Sequence, residues 1–290
     1  MQPEDERPAI LAIGTAVPQY GGKQSEIGEW MAASFTDRPG LARMIRTLCA
    51  YSGIETRHSC TPDYLLPPIE SRLAPGAPPE RSPSTRERMA IYEEAAPPLG
   101  AEAAQRALAV YAEKHSATPD AAAAAITHLV VVSCTGFFAP GLDFVLAHRL
   151  GLPATVERTL IGFMGCAAMF NGLRAAYQTV RSDPAALVLV VSVELCTLHT
   201  QPNPLRDHLI GASLFADGAS ACIVGMPQAC SGDYFALERF YTCMKPGTAQ
   251  EMAWQIGDYG FDLRLSPRIP DHLAEVAPAA LSALFGDEPP

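Results

Sequence analysis

The stretch "ERTLIGFMGCAAMFNGLRAAYQTVRSDPAALVLVVSVEL" (residues 157–195) places two short apolar runs on either side of a helical pattern. "ERTLIGF" has the length and content of a strand, and "ALVLVVSVEL" (186–195) is a continuous apolar strand with no polar alternation. Between them, "CAAMFNGLRAAYQTVRS" repeats apolar residues at helical spacing, with Met169, Leu173, Ala176, Tyr177 and Val180 on one side. Strand, helix and strand in this order make the unit of an α/β protein. The missing alternation implies a sheet covered on both faces.

The rest of the chain agrees. "PAILAIGTAVP" (8–18), "ITHLVVVSCTGF" (126–137) and "ACIVG" (221–225) read as further buried strands, and "EIGEWMAASF", "GLARMIRTLCAYSG", "GAEAAQRALAVYAEKH" (100–115) and "DFVLAHRLGL" read as helices. Residues 65–86 carry Pro67, Pro68, Pro75, Pro78, Pro79 and Pro83, which exclude regular structure and predict an exposed loop. From Asp233 a second unit is expected to begin, with a strand-like "DYFALERFYTC" and a helix over 270–286. The expected organisation is therefore a first half over residues 1–228 and the opening of a second, incomplete half over 229–290.

Composition narrows the function. The 290 residues with 48% hydrophobic content are enough to bury a core, and a net charge of −10 leaves no clustered positive surface for a nucleic-acid backbone. The polar, acidic N-terminus lacks a signal-peptide pattern, and no apolar run approaches the roughly 20 residues of a membrane helix, so a cytoplasmic protein is expected. The eight cysteines, at 49, 60, 134, 166, 196, 222, 230 and 243, show no CxxC pair and no zinc-type spacing with histidine. No metal or cofactor is expected.

Cys166 differs from the other cysteines by its place. It follows Gly165 at a strand-to-helix junction, where a side chain is exposed at the sheet edge and the helix N-terminus lowers a thiol's pKa and favours a developing oxyanion. Gly165, Ala167 and Ala168 leave room for an acyl group. On these residues alone, a nucleophile and a buried structural thiol both remain open readings.

Five segments in order decide between them. "SCTGFFAPGLDFVL", "RTLIGFMGCAAMFNGLRAA", "VLVVSVELCTLH", "LFADGASACIVG" and "WQIGDYGFDLRLSPRIP" resemble the type III polyketide synthases, the chalcone and stilbene synthase family, and most of all its bacterial alkylresorcinol and alkylpyrone branch. The resemblance runs from about Pro8 to the last residue. It implies a layered α-β-α-β-α thiolase-like fold, with the N-terminal half complete and the C-terminal half truncated. It also implies a homodimer, and an acyltransferase that takes a starter, fatty ones included, from acyl-CoA onto Cys166 and extends it with malonyl-CoA by decarboxylative condensation.

Position by position, the resemblance makes Phe215 the aromatic gate between a CoA tunnel and the reaction cavity. Leu263 falls where many plant members carry a second gating Phe. Cys134, Glu194, Cys196, His199 and Gly211 fall at cavity positions, and Ala139 stands where plant relatives carry a Met that crosses the dimer interface. Arg43, Arg46 and Arg57 are candidates to hold the CoA phosphates, while Thr47 and Tyr51 replace residues that are often basic in relatives.

The family's chemistry also needs a histidine in a "HPGG"-like motif and an asparagine in a "GNMSS"-like motif, and neither motif occurs in these 290 residues. His199, at a strand end near Glu194, is the best of the seven histidines as a substitute. The expectation is a chain that is acylated at Cys166 yet impaired in condensation by itself. The alternatives are a non-catalytic remnant or dimerisation partner, and one chain of a split enzyme.

Overall fold

A computed structural model of the chain describes residues 7–202, 204–227 and 233–286. Among them the strands are β1 (Ala9–Ala16), β2 (Tyr20–Lys23), β3 (Thr56–Ser59), β4 (His128–Ser133), β5 (Glu157–Gly162), β6 (Val188–Leu195), β7 (Asp217–Gly225), β8 (Phe235–Ala236), β9 (Met252–Gly257) and β10 (Gly260–Leu265). The helices are α1 (Gln24–Ala33), α2 (Pro39–Tyr51), α3 (Thr85–Lys114), α4 (Pro119–Ala124), α5 (Leu142–Arg149), α6 (Ala168–Ser182), α7 (Arg206–Leu214) and α8 (Ile269–Phe285).

The central sheet runs β5-β4-β6-β7-β1-β8, with β4 parallel to both β5 and β6 and the remaining pairs antiparallel. Strand β6 shows why its sequence does not alternate. Leu189, Val191, Val193 and Leu195 join the core under α3, while Val188 and Val190 join a second core with Ala176 and Val180 of α6. Both faces of the strand are buried, so every position selects an apolar side chain. Burial of this kind contributes roughly 1.5–3 kcal/mol per large aliphatic side chain.

Helix α3 begins fifteen residues before the predicted start at Gly100 and runs through Pro97 and Pro98. Its start is set by a capping box. The hydroxyl of Ser84 accepts from the backbone N–H of Glu87, whose carboxylate accepts from the N–H of Ser84 at 2.8 Å. The close seating of β1 on this Ala-rich helix depends on Gly14, where an added Cβ would lie 2.3 Å from the carbonyl oxygen of Ala103.

The proline-rich segment is irregular from Leu66 to Ser84, as predicted, but its last two residues, Thr85 and Arg86, open α3 and it is not an exposed loop throughout. Ser71, Leu73, Ala74, Ala77 and Ser82 are buried. Asp63 satisfies the fold-back by accepting from the hydroxyl of Ser71 and from the backbone N–H groups of Arg72 and Leu73, both at 3.1 Å. Proline removes ladder donors without forbidding burial, and the remaining donors find this carboxylate.

Past Asp233, the expected strand over 233–243 shortens to Phe235–Ala236, which pair with Ile10 and Ala9. Aromatic content suggested a longer strand, but the pairing with β1 covers these two positions alone. The β9–β10 hairpin pairs Trp254 with Leu263 and Ile256 with Phe261. Its turn sits on the start of α3, where Thr85 donates its N–H to Asp258 O and accepts the N–H of Gly260, both at 2.8 Å. The expected boundary at 228/229 lies outside the described residues. No helix among the described residues is long and apolar enough to cross a membrane.

Candidate active site

Strand β5 delivers the chain to Phe163 and Gly165, whose φ angles are +55° and +75°. A left-handed Phe is strained by about 1–2 kcal/mol, so the junction is a sharp elbow that its surroundings must hold. The hold is aromatic. The ring of Phe163 lies 5.6 Å from that of Phe261 at 84°, and 5.5 Å from that of Phe137. Cys166 follows on this elbow, exposed. Helix α6 starts at Ala168 with Ala167 as its N-cap, so the cysteine precedes the helix instead of beginning it as the sequence predicted. The two left-handed residues complete the reversal there, and helical geometry starts only after it. Cys166 still lies within one turn of the first free N–H groups of α6, at the positive end of the helix.

Beside the elbow, five of the predicted residues meet. Cys196, His199, Gly211, Phe215 and Leu263 line one cavity of about 30 Å³, together with residues that include Tyr64, Thr197, Gln201, His208, Ala212 and Trp254. That space holds a water or two. The side chain of Leu263 bounds this space. Gly211 is part of this limit, because a Cβ there would stand 2.4 Å from Cδ2 of Leu263.

Cys134 and Glu194 stand one layer behind. The Glu194 carboxylate accepts from the Cys134 N–H at 2.9 Å and from the Thr135 hydroxyl at 2.7 Å, and the Trp254 indole N–H donates to Cys134 O at 3.0 Å. Burial pushes the Glu194 carboxyl up to about 7 against those hydrogen bonds. The Cys134 thiol lies 3.8 Å from Gly165 O, one residue from Cys166. Burial, reinforced by the Glu194 charge, pushes the thiols of Cys134 and Cys196 up, so both stay protonated. Cys166, by contrast, is exposed just ahead of the helix.

His199 is buried, and both its nitrogens are engaged. Nε2 donates to Thr135 O at 2.9 Å and Nδ1 accepts the Phe261 N–H at 3.0 Å, which sets the neutral tautomer protonated at Nε2. Burial depresses its pKa to about 3. It lines the cavity and has no free lone pair to pair with Cys166.

The arginines divide. Arg43 is exposed, and Arg46 is paired with Glu29 at 2.8 Å. Arg57, expected near the CoA phosphates, is instead 2% exposed and donates to the carbonyls of Ala212 and Phe215, the latter at 3.1 Å. It points inward because those carbonyls at the end of α7 offer acceptors that a buried guanidinium needs. Ala139 is exposed beyond β4. Sequence reasoning passed over Tyr64, Thr197, Gln201, His208, Ala212 and Trp254 as cavity residues. The one available signal was the period-2 pattern of β9 and β10, which puts Trp254 opposite Leu263.

A mixed sheet between helical layers, with a thiol on a strained strand-to-helix elbow, defines a thiolase-like fold. Residues 2–227 match the family model of chalcone and stilbene synthases, N-terminal domain, and the chain belongs to that family. It is 31% identical over 269 residues to type III polyketide synthase 21 of Oryza sativa subsp. japonica, covering 91% of this chain and 66% of that protein. It is 29% identical over 281 residues to the alpha-pyrone synthesis polyketide synthase-like Pks18 of Mycobacterium tuberculosis, covering 95% of this chain and 67% of that protein. The chain thus spans about two thirds of the length of these relatives. Among solved structures, the C-terminal type III polyketide synthase domain of Steely1 from Dictyostelium superposes with a TM-score of 0.82 at 27% identity, covering 97% of this chain and 73% of that one.

Proposed function

We propose that the chain is the acyl-loading part of a type III polyketide synthase. The Cys166 thiolate attacks the carbonyl of an acyl-CoA thioester, the new C–S bond forms as the CoA thiolate leaves and takes a proton, and the acyl group remains on Cys166. The observation that carries this reading is the exposed Cys166 on its strained elbow, beside two cysteines that burial keeps protonated. The cavity of Cys196, Gly211, Phe215 and Leu263 supports an apolar starter, with Phe215 and Leu263 as movable walls. Extension by malonyl-CoA to pyrone- or resorcinol-like products, a homodimeric assembly and a cytoplasmic location belong to the same proposal for the complete enzyme. His199 does not serve as the imidazole of that extension, since backbone groups occupy both its nitrogens.

The test is to incubate the purified chain with a long-chain acyl-CoA and follow intact mass. One acyl addition, absent in Cys166→Ala, is expected. A folded chain that acquires no adduct would overturn the proposal. Adding malonyl-CoA then checks extension, and pyrone formed by this chain alone would contradict the part given to His199.

A further inference from the structure

We propose that Arg57 and Arg88 are positioning residues for the acyl cavity, two buried guanidinium groups that hold two of its lining segments in register. Both lie fully inside the protein, 2% and 0% exposed, and no described carboxylate lies within ion-pair distance of either. Each donates from Nη1 to two backbone carbonyls of a segment that lines the cavity. Arg88 donates from Nη1 to Leu198 O and, at 2.9 Å, to Thr200 O, at the end of the 3-10 turn Cys196–His199. It is anchored through Nε, which donates to Pro83 O at 2.8 Å. Arg57 donates from Nη1 to Ala212 O and Phe215 O at the end of α7, and its guanidinium lies 5.8 Å from the Tyr64 ring. Thr197, His199 and Thr200 of the first segment and Gly211, Ala212 and Phe215 of the second all line the cavity.

The last carbonyls of a helical segment lack intrahelical partners and carry its negative end, and the two N–H groups of one Nη1, held in the guanidinium plane, satisfy two of them at once. A lysine would present a rotating point charge in place of that planar group. The arrangement is not one that stability alone selects. Nε of Arg57 and Nη2 of Arg88 are buried without a partner, and burying a charge with unfilled donors is unfavourable. What the two groups hold in common is the shape of the cavity. Arg88 packs against Gly260, where a Cβ would meet both its Cδ and Nδ1 of His199 at 3.0 Å. The His199 ring beside Gly260 in turn contacts the rings of Phe261 and Trp254.

This inference rests on the reading of the cavity as the acyl site, so the experiment includes a measurement that needs no acylation. Arg57→Met, Arg57→Lys, Arg88→Met and Arg88→Lys are compared with the parent chain, with folding checked by circular dichroism. Cys166 loading from hexanoyl-, lauroyl- and stearoyl-CoA is followed by intact mass. The methionine variants are expected to raise the half-saturating concentration of the two longer starters about tenfold, with little change in maximal rate, and the lysine variants to recover part of it. Trp254 is then isolated in a Trp30→Phe background, and acrylamide quenching is expected to rise in Arg88→Met and to stay unchanged in Arg57→Met. Folded methionine variants with parental half-saturation at all three lengths would overturn the proposal, as would unchanged quenching in Arg88→Met. Should a methionine variant fail to fold, the lysine variant decides by the same two measurements. A parent chain that takes no acyl group defeats the acyl-site reading alone, and the quenching result still stands or falls for Arg88.

Discussion

His199 and Phe261 are joined twice: their rings stack 4.2 Å apart and 11° from parallel, and the Phe261 N–H donates to Nδ1 of His199. The pair locks the β9–β10 hairpin onto the turn that follows β6. The imidazole thereby becomes a structural element, and its titration becomes a property of folding.

That titration has a sign. The folded chain keeps His199 neutral down to about pH 3, while the unfolded chain protonates it below about 6.5. Its contribution is complete above 6.5 and is lost as pH falls toward 3, at most about 1.4 kcal/mol per unit. Glu194 runs the other way. Its folded value of about 7 against 4.5 unfolded gives a contribution complete below 4.5 and lost as pH rises through 7. The melting temperature of Glu194→Gln relative to the parent should therefore climb between pH 4.5 and pH 7 and level off above. A difference that does not vary with pH would show that Glu194 is not buried as described.

Gly211 and Leu263 should be energetically coupled. Gly211→Ala gains about 1 kcal/mol of helix propensity but drives its Cβ to 2.4 Å from Leu263 Cδ2, an overpacking cost of about 1–3 kcal/mol. The single variant is expected to lose stability, and the same change made in a Leu263→Ala background to gain it. Additive denaturant melts across the four proteins would contradict the contact.

Asp217 is buried and accepts three hydrogen bonds, from the Cys60 N–H at 2.7 Å, the Thr197 N–H at 2.8 Å and the Thr197 hydroxyl at 2.7 Å. Asp217→Asn turns an amide donor toward those donors and should cost about 1–3 kcal/mol in a denaturant melt. Thr197 lines the cavity and Phe215 lies two residues away, so weaker acyl loading should accompany the loss.

Thiol chemistry should separate by burial. Brief alkylation of the native chain is expected to label Cys166 and Cys243, both exposed, well before Cys49, Cys134 and Cys222, which are buried. Peptide mass spectrometry over a time course reads the order, and early labelling of Cys134 would contradict the packing of the elbow.

The central sheet and most of the helices were legible from the chain because periodicity is local: β6 had to be apolar throughout once both its faces were covered. Cys166 was legible for the same reason, since a glycine between a strand and a helical pattern marks a sharp junction. The start of α3 was readable in the Ser84–Glu87 box, but Pro97 and Pro98 masked it.

The sequence by itself determined the α/β class, the elbow and the family, because these rest on spacing along one segment and on motifs in order. Only the tertiary structure decided what the cavity is made of. Trp254 and Leu263 arrive on a hairpin far along the chain, and Arg57 and Arg88 turn inward to carbonyls more than a hundred residues away. His199 became a neutral packing group because Thr135 and Phe261 meet it from opposite sides. Those meetings depend on long-range closure, and burial shifts a pKa only once that closure has removed water from the group.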